Sequence, residues 1–143
     1  MSTQKIPSFD NSLQKTQAWI QELDAKLQWG DLHKSYKALR VTLHTLRDRL
    51  PLSEVVQLGA QLPMLVRGFY YDGWRPLRTP QVKLNKKEFL SAIEDEFRDE
   101  VGLDAEKVCK AVFYTIEMRV SPGECGDIAS VLPRDLRELW IAA

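Results

Sequence analysis

The stretch Glu54–Arg67, EVVQLGAQLPMLVR, returns with its punctuation intact at Glu124–Arg137, ECGDIASVLPRDLR. The glutamate, the Leu-Pro pair and the closing arginine all recur at an offset of 70 residues. So do Lys37/Lys107, Thr45/Thr115 and Arg49/Arg119, which makes seven identities without a gap. A shared apolar period explains matched leucines. It does not place a glutamate and a proline in one register. The same offset lays Trp19, Ile20, Leu23 and Leu27 on Phe89, Leu90, Ile93 and Phe97, and Leu39, Leu43, Leu46 and Leu50 on Cys109, Phe113, Ile116 and Val120. The chain therefore reads as an internal duplication: a first helical repeat over 9–74, a Pro-containing basic linker over 75–84, and a second helical repeat over 85–140.

Working outward, the spacing predicts helix nearly throughout. Leu13, Ile20, Leu23 and Leu27 share one face of a helix over Asn11–Gln28, with Ser8 or Asp10 available as N-cap. Trp29-Gly30-Asp31 ends it and caps the next, which carries Tyr36, Leu39, Leu43, Leu46 and Leu50. Ser53 can cap a short helix, and Pro63 suits the first turn of another. In the second half Asn85 with Glu88 forms a capping box, Asp104 caps, and Ser121-Pro122-Gly123-Glu124 is a further start. Glu54 and Glu124 are expected to serve the N–H groups of their own helices, and Arg49 and Arg119 the negative ends of theirs. Arg67 and Arg137 are expected to bridge to carboxylates. The expected fold is all-α: two tandem helical repeats of about four short helices each, packed as one compact helical domain.

The 143 residues carry 44% hydrophobic and 28% charged side chains, an ordinary globular balance. No apolar run reaches membrane-spanning length, and Met1–Pro7 holds no apolar leader, so a cytoplasmic protein is expected. Twenty basic and twenty acidic residues cancel, which speaks against binding nucleic acid with the whole surface. The zero is uneven: net +2 over Met1–Trp74, +5 over Arg75–Lys87 and −7 over Glu88–Ala143. That polarity favours internal docking of the halves, or head-to-tail self-association. Cys109 and Cys125 read as small buried hydrophobes, and two histidines, His33 and His44, are too few for the usual metal sites. No phosphate loop, dinucleotide fingerprint or nucleophile elbow is present, so no catalytic residue, metal or cofactor is assigned.

Leu43–Pro51, followed by Gly59–Pro76 with its A-Q-L-P…R-G-x-Y-x-x-G-W-x-P pattern, resembles the prokaryotic domain of unknown function 2267. Val120–Glu124 and Leu132–Trp140 fit the second half of that family, so the resemblance runs from about Phe9 to Trp140. It implies an all-α fold of two tandem units and no particular activity.

A site is sought where the copies diverge. Gln61–Pro76 is richer than its counterpart, and Arg67, Tyr70, Tyr71, Trp74, Arg75 and Arg78 have the composition of a partner-binding surface. The alternative is that Trp74 is a lid over the seam between repeats. Gly68, within a helix, suggests a close neighbour there. His44 reads as a satisfied core or boundary residue, or with Gln61 as part of a ligand crevice. Arg47-Asp48-Arg49 reads as a solvated surface. The acidic run Glu94–Glu100 stacks like charges on a helix and reads as a solvated or partner-facing edge, with a cation site as the alternative. The leading expectation is a non-enzymatic protein-interaction or adaptor module. The alternatives are a nucleic-acid-binding protein using helix-turn-helix-like units and the basic linker, and a small-ligand-binding helical protein.

Overall fold

Proline and capping side chains divide the chain into eight α-helices in the computed structural model, which describes residues 4–78 and 85–141, the side chains of Arg78 and Ile141 excepted. They are α1 (Pro7–Leu27), α2 (Leu32–Arg47), α3 (Leu52–Gln61), α4 (Met64–Tyr71), α5 (Lys86–Glu96), α6 (Ala105–Arg119), α7 (Pro122–Val131) and α8 (Arg134–Ile141). A single 3₁₀ turn, Pro76–Arg78, follows α4. The fold is all-helical, with no strand among the described residues, and no helix there is long and apolar enough to cross a membrane.

Asp31, Asn85, Asp104 and Ser121 cap as their positions predict, each accepting from the N–H three residues on at 2.9–3.3 Å. Three starts differ from expectation. Helix α1 begins at Pro7 with no side-chain cap, because proline at the first position has no N–H to satisfy; Ser8 and Asp10 lie inside the helix. Pro51 and Pro63 stand just outside α3 and α4, with ψ of 153° and 152°, so extended proline backbone leads into both helices and Ser53 is not a cap. The acidic run is also broken: α5 ends at Glu96, so Glu100 leaves the helix and pairs with Lys34 at 3.4 Å.

Where α3 turns into α4, Arg67 does not seek a carboxylate. Its Nε donates to the Gly59 carbonyl at 2.7 Å, and its Nη2 to Ala60 and Leu62 at 3.3 and 2.8 Å. These carbonyls lie at the negative end of the helix dipole, and the Gly59 oxygen also accepts from the Leu62 N–H at 3.2 Å. Arg137 makes the corresponding bonds to Ala129, Ser130 and Leu132 at 2.9, 3.3 and 3.2 Å.

The core runs across both halves. Helix α1 packs on α2 and also on α6; α5 packs on α6 and also on α2; α2 meets α6, and α3 meets α7. Tyr70, Phe89, Phe113 and leucines of both halves, among them Leu39, Leu43, Leu46 and Leu136, are fully buried in it. Trp29 meets Phe97 edge-on at 5.9 Å, while Lys26 and Lys37 lie over the rings of Tyr114 and Phe97 at 4.2 and 5.0 Å. Docking of the halves is thus mainly apolar, with charge contributing through Lys34–Glu100 and Arg119–Glu22.

Two helical glycines have opposite surroundings. A Cβ on Gly59 would run into the hydroxyl and ring of Tyr71, whereas Gly68 has nothing within 4 Å, against the close neighbour expected for it. Gly68→Ala should therefore stabilise by about 1 kcal/mol through helix propensity. Gly59→Ala should destabilise by about 1 kcal/mol despite that gain, because Tyr71 is held between Tyr70 and Trp74. Urea unfolding of the two variants checks the opposite signs.

Candidate functional site

Glu54 and Glu124 each occupy the third position of their helix, where a carboxylate ordinarily folds back to its own cap. They turn towards each other instead. The N–H of Ser121, which Glu124 would take in a closed capping box, donates to Gln61 Oε1 of the other half at 2.8 Å. Carboxylate oxygens of Glu54, Glu124 and Asp127 lie within 4.8 Å of one another. Glu124 is only 5% exposed, and its Oε1, like Glu54 Oε2, is buried without a donor. Burial foremost, then the charge of Glu54, the hydrogen bond to it and the charge of Asp127, push the Glu124 carboxyl up to about 7. One proton held by Glu124 and donated to the Glu54 carboxylate relieves the pair. The three carboxylates form a hard oxygen set suited to a divalent cation, but the positive ends of α3 and α7 face it. That field opposes a doubly charged ion more than a single proton.

A second cluster anchors the end of α4. His44 Nε2 donates to the Phe69 carbonyl at 2.5 Å, and Arg47 Nη1 to the carbonyls of Tyr70 and Asp72 at 2.8 and 3.0 Å. Arg40 meets the Asp72 carboxylate at 2.6 Å, and Arg47 Nε the Asp48 carboxylate at 2.9 Å. Arg47 and Arg49 are buried, so this run is not the solvated surface its composition suggests. Burial, with help from Arg47 and Arg40, lowers the pKa of His44 although its bond to Phe69 opposes this. The neutral ring with a proton on Nε2 fits its acceptor. At the corresponding positions the second half has Lys110, Tyr114 and Glu117.

The aromatic–arginine surface is largely spent on packing. Tyr70 is fully buried, with its hydroxyl on the Val55 carbonyl at 2.8 Å, and so is out of a partner's reach. Tyr71 is half-buried between Tyr70 at 4.9 Å and Trp74 at 5.4 Å. Trp74 is half-buried against the core, as a seam lid would be, and Arg75 is exposed. The Arg78 side chain and residues 79–84 of the linker lie outside the described residues, while Lys86 is paired with Glu106 at 2.9 Å. Gln61 and His44 serve separate ends: Gln61 the start of α7, His44 the end of α4. The two cysteines are free and buried, which raises both thiols, Cys125 to about 11. Neither offers a thiolate at neutral pH.

Sequence reading missed an open groove of about 640 Å³ where α1, the start of α4 and the end of α6 converge. Lys15, Arg67 and Arg119 line it with Trp19, Met64 and Met118, and no acidic side chain among the described residues does. Met64 and Met118 are more than half exposed. Arg119 bonds Glu22 through Nε at 2.8 Å, and Lys15 is exposed. The lining comes from three distant segments, so no contiguous motif announces it.

A family model described as "Uncharacterized conserved protein (DUF2267)" matches residues 16–139. No curated protein matches the chain.

The carboxyl pair carries a pH signature. Glu124 holds its proton in the fold well above the ordinary value of 4.5, so its contribution to stability is complete below that value. It declines as pH rises towards 7 and is gone above it. Glu124→Gln keeps a donor for Glu54 and does not titrate. Urea unfolding across this range should show a flatter pH dependence for the variant and, above pH 7, a gain of about 2 kcal/mol over the wild type.

Proposed function

The chain belongs to the DUF2267 family, and from that premise we propose a non-enzymatic protein-interaction module that docks an acidic amphipathic segment of its partner in the groove between α1, α4 and α6. The scaffold of this proposal is one four-helix unit used twice. Its support is the recurrence of helix bounds, α3 with α7 and α4 with α8, and of both arginine clamps at the offset seen in the sequence.

One observation carries the docking site: three cations and two exposed methionines share a concave lining without a carboxylate. Methionine is a soft, adaptable contact for apolar side chains. Lys15, exposed on the lining, supplies the positive charge that steers and orients an acidic partner. An amphipathic helix laid into such a groove presents apolar anchors every three or four residues and carboxylates along its edge.

Titration of isotope-labelled protein with a synthetic Leu/Glu amphipathic helix tests this by amide shifts. The expected shifts centre on Lys15, Met64 and Met118, weaken with salt, and need about tenfold more peptide in Lys15→Glu. Equal binding of a Leu/Lys helix, tighter binding of duplex DNA, or no shifts in the groove would contradict it.

A further inference from the structure

The opposite flank of α1 carries a second surface, independent of the groove. Ile6, Phe9 and Leu13 are 53%, 59% and 49% exposed. With Ile20 they follow the spacing of a coiled-coil seam, Ile6, Leu13 and Ile20 being seven apart. Beyond Leu13 the stripe runs into a depression of about 290 Å³ lined by Ile20, Leu32 and Tyr36, with Gln17, Gln21 and His33 at its edge.

The fold does not require every side chain along this seam to be apolar. At the offset of the two halves, Leu32, Tyr36 and Leu65 correspond to Gly102, Glu106 and Asp135. There the same seam is closed by polar contacts: Lys86 Nζ on Glu106 at 2.9 Å and the Lys86 N–H on Asp135 at 2.8 Å. Leu65 and Leu32 are about half exposed. One half of the molecule thus closes this seam with its own charges, and the other presents hydrocarbon to the outside.

We propose that this stripe is the seam of a twofold homodimer, in which α1 of one protomer packs antiparallel on α1 of its partner with Leu13 on the axis. A twofold interface requires each patch to contain both a projection and the hollow that receives it, at equal distances from the axis. Ile6 stands two turns before Leu13 and Ile20 two turns after, roughly 10.5 Å on either side. The protruding end bearing Ile6 and Phe9 then meets the depression at Ile20, Leu32 and Tyr36 of the other copy. Charge agrees with self-pairing. The flanks are Asp10, Gln17 and Gln21, and the antiparallel match sets Asp10 against Gln17, so no like charges are opposed there. Lys15 and Asn11 lie on the other flank of α1, in the groove lining, so the dimer leaves the proposed docking site open.

Sedimentation of the full chain across its accessible concentration range tests the assignment. The wild type should reach dimer mass, and Leu13→Glu, which sets two carboxylates together on the axis, should remain monomeric. A second variant guards against a folding effect. A residue on the axis meets its own copy, so Leu13→Cys should form a covalent dimer on mild oxidation while Asn11→Cys stays monomeric. The buried native cysteines stay out of that reaction. A wild type that remains monomeric at every concentration, a dimer that Leu13→Glu leaves intact, or equal cross-linking at Asn11 would overturn the proposal.

Discussion

The guanidinium of Arg67 fills the gap where α3 stops and α4 begins, taking the carbonyls of Gly59, Ala60 and Leu62, and Arg137 does the same for Ala129, Ser130 and Leu132. Helices of ten and eight residues do not persist alone in water. The proline between them makes a continuous helix impossible. A rigid planar fork that donates to several carbonyls of the turn at once converts that break into a fixed corner. The corner then sets the approach of α3 to α7, and with it the meeting of Glu54 and Glu124. It also sets where Met64 and Arg67 line the groove. Lysine, with a single point of charge, would not span these acceptors.

The two halves share this corner and differ around it. The first anchors the end of α4 with His44, Arg47 and Arg40, uses Gly59 to admit the Tyr71 ring, and leaves Leu32 and Leu65 exposed. The second has Tyr114, Glu117 and Lys110 in the first three places, Ala129 in the fourth, and Gly102 and Asp135 in the last two. Both proposed surfaces use α1 of the first half, the groove together with the start of α4 and the stripe together with α2. The second half, with most of the acidic charge, contributes packing and the end of α6. Its ion pairs to the first half are partly exposed and individually worth little. The shared apolar core does most of the joining.

Much of the fold was legible because helix boundaries are local chemistry. Asp31, Asn85, Asp104 and Ser121 cap where they stand in the sequence, and the leucine stripe of α2 is buried as its period requires. What was not legible depends on partners distant in sequence. Glu124 looks like a capping-box glutamate until α3 brings Glu54 to it. Arg47 looks solvated until the end of α4 arrives over it. Tyr70 has the composition of a contact residue, yet its hydroxyl reaches Val55 and its ring is in the core. The groove is assembled from residues 8–19, 61–67 and 118–119, and nothing in any one of those segments marks it.

The central claim is that the two arginine corners are equivalent supports of one cooperative structure. Urea unfolding of Arg67→Ala and Arg137→Ala, followed by both far-ultraviolet circular dichroism and tryptophan fluorescence, tests it most directly. Each variant should lose about 2 kcal/mol, since partly buried carbonyls lose a charged donor, and each should still unfold in one transition seen identically by both probes. A negligible loss in either variant, or separate transitions for the two probes, would contradict the account.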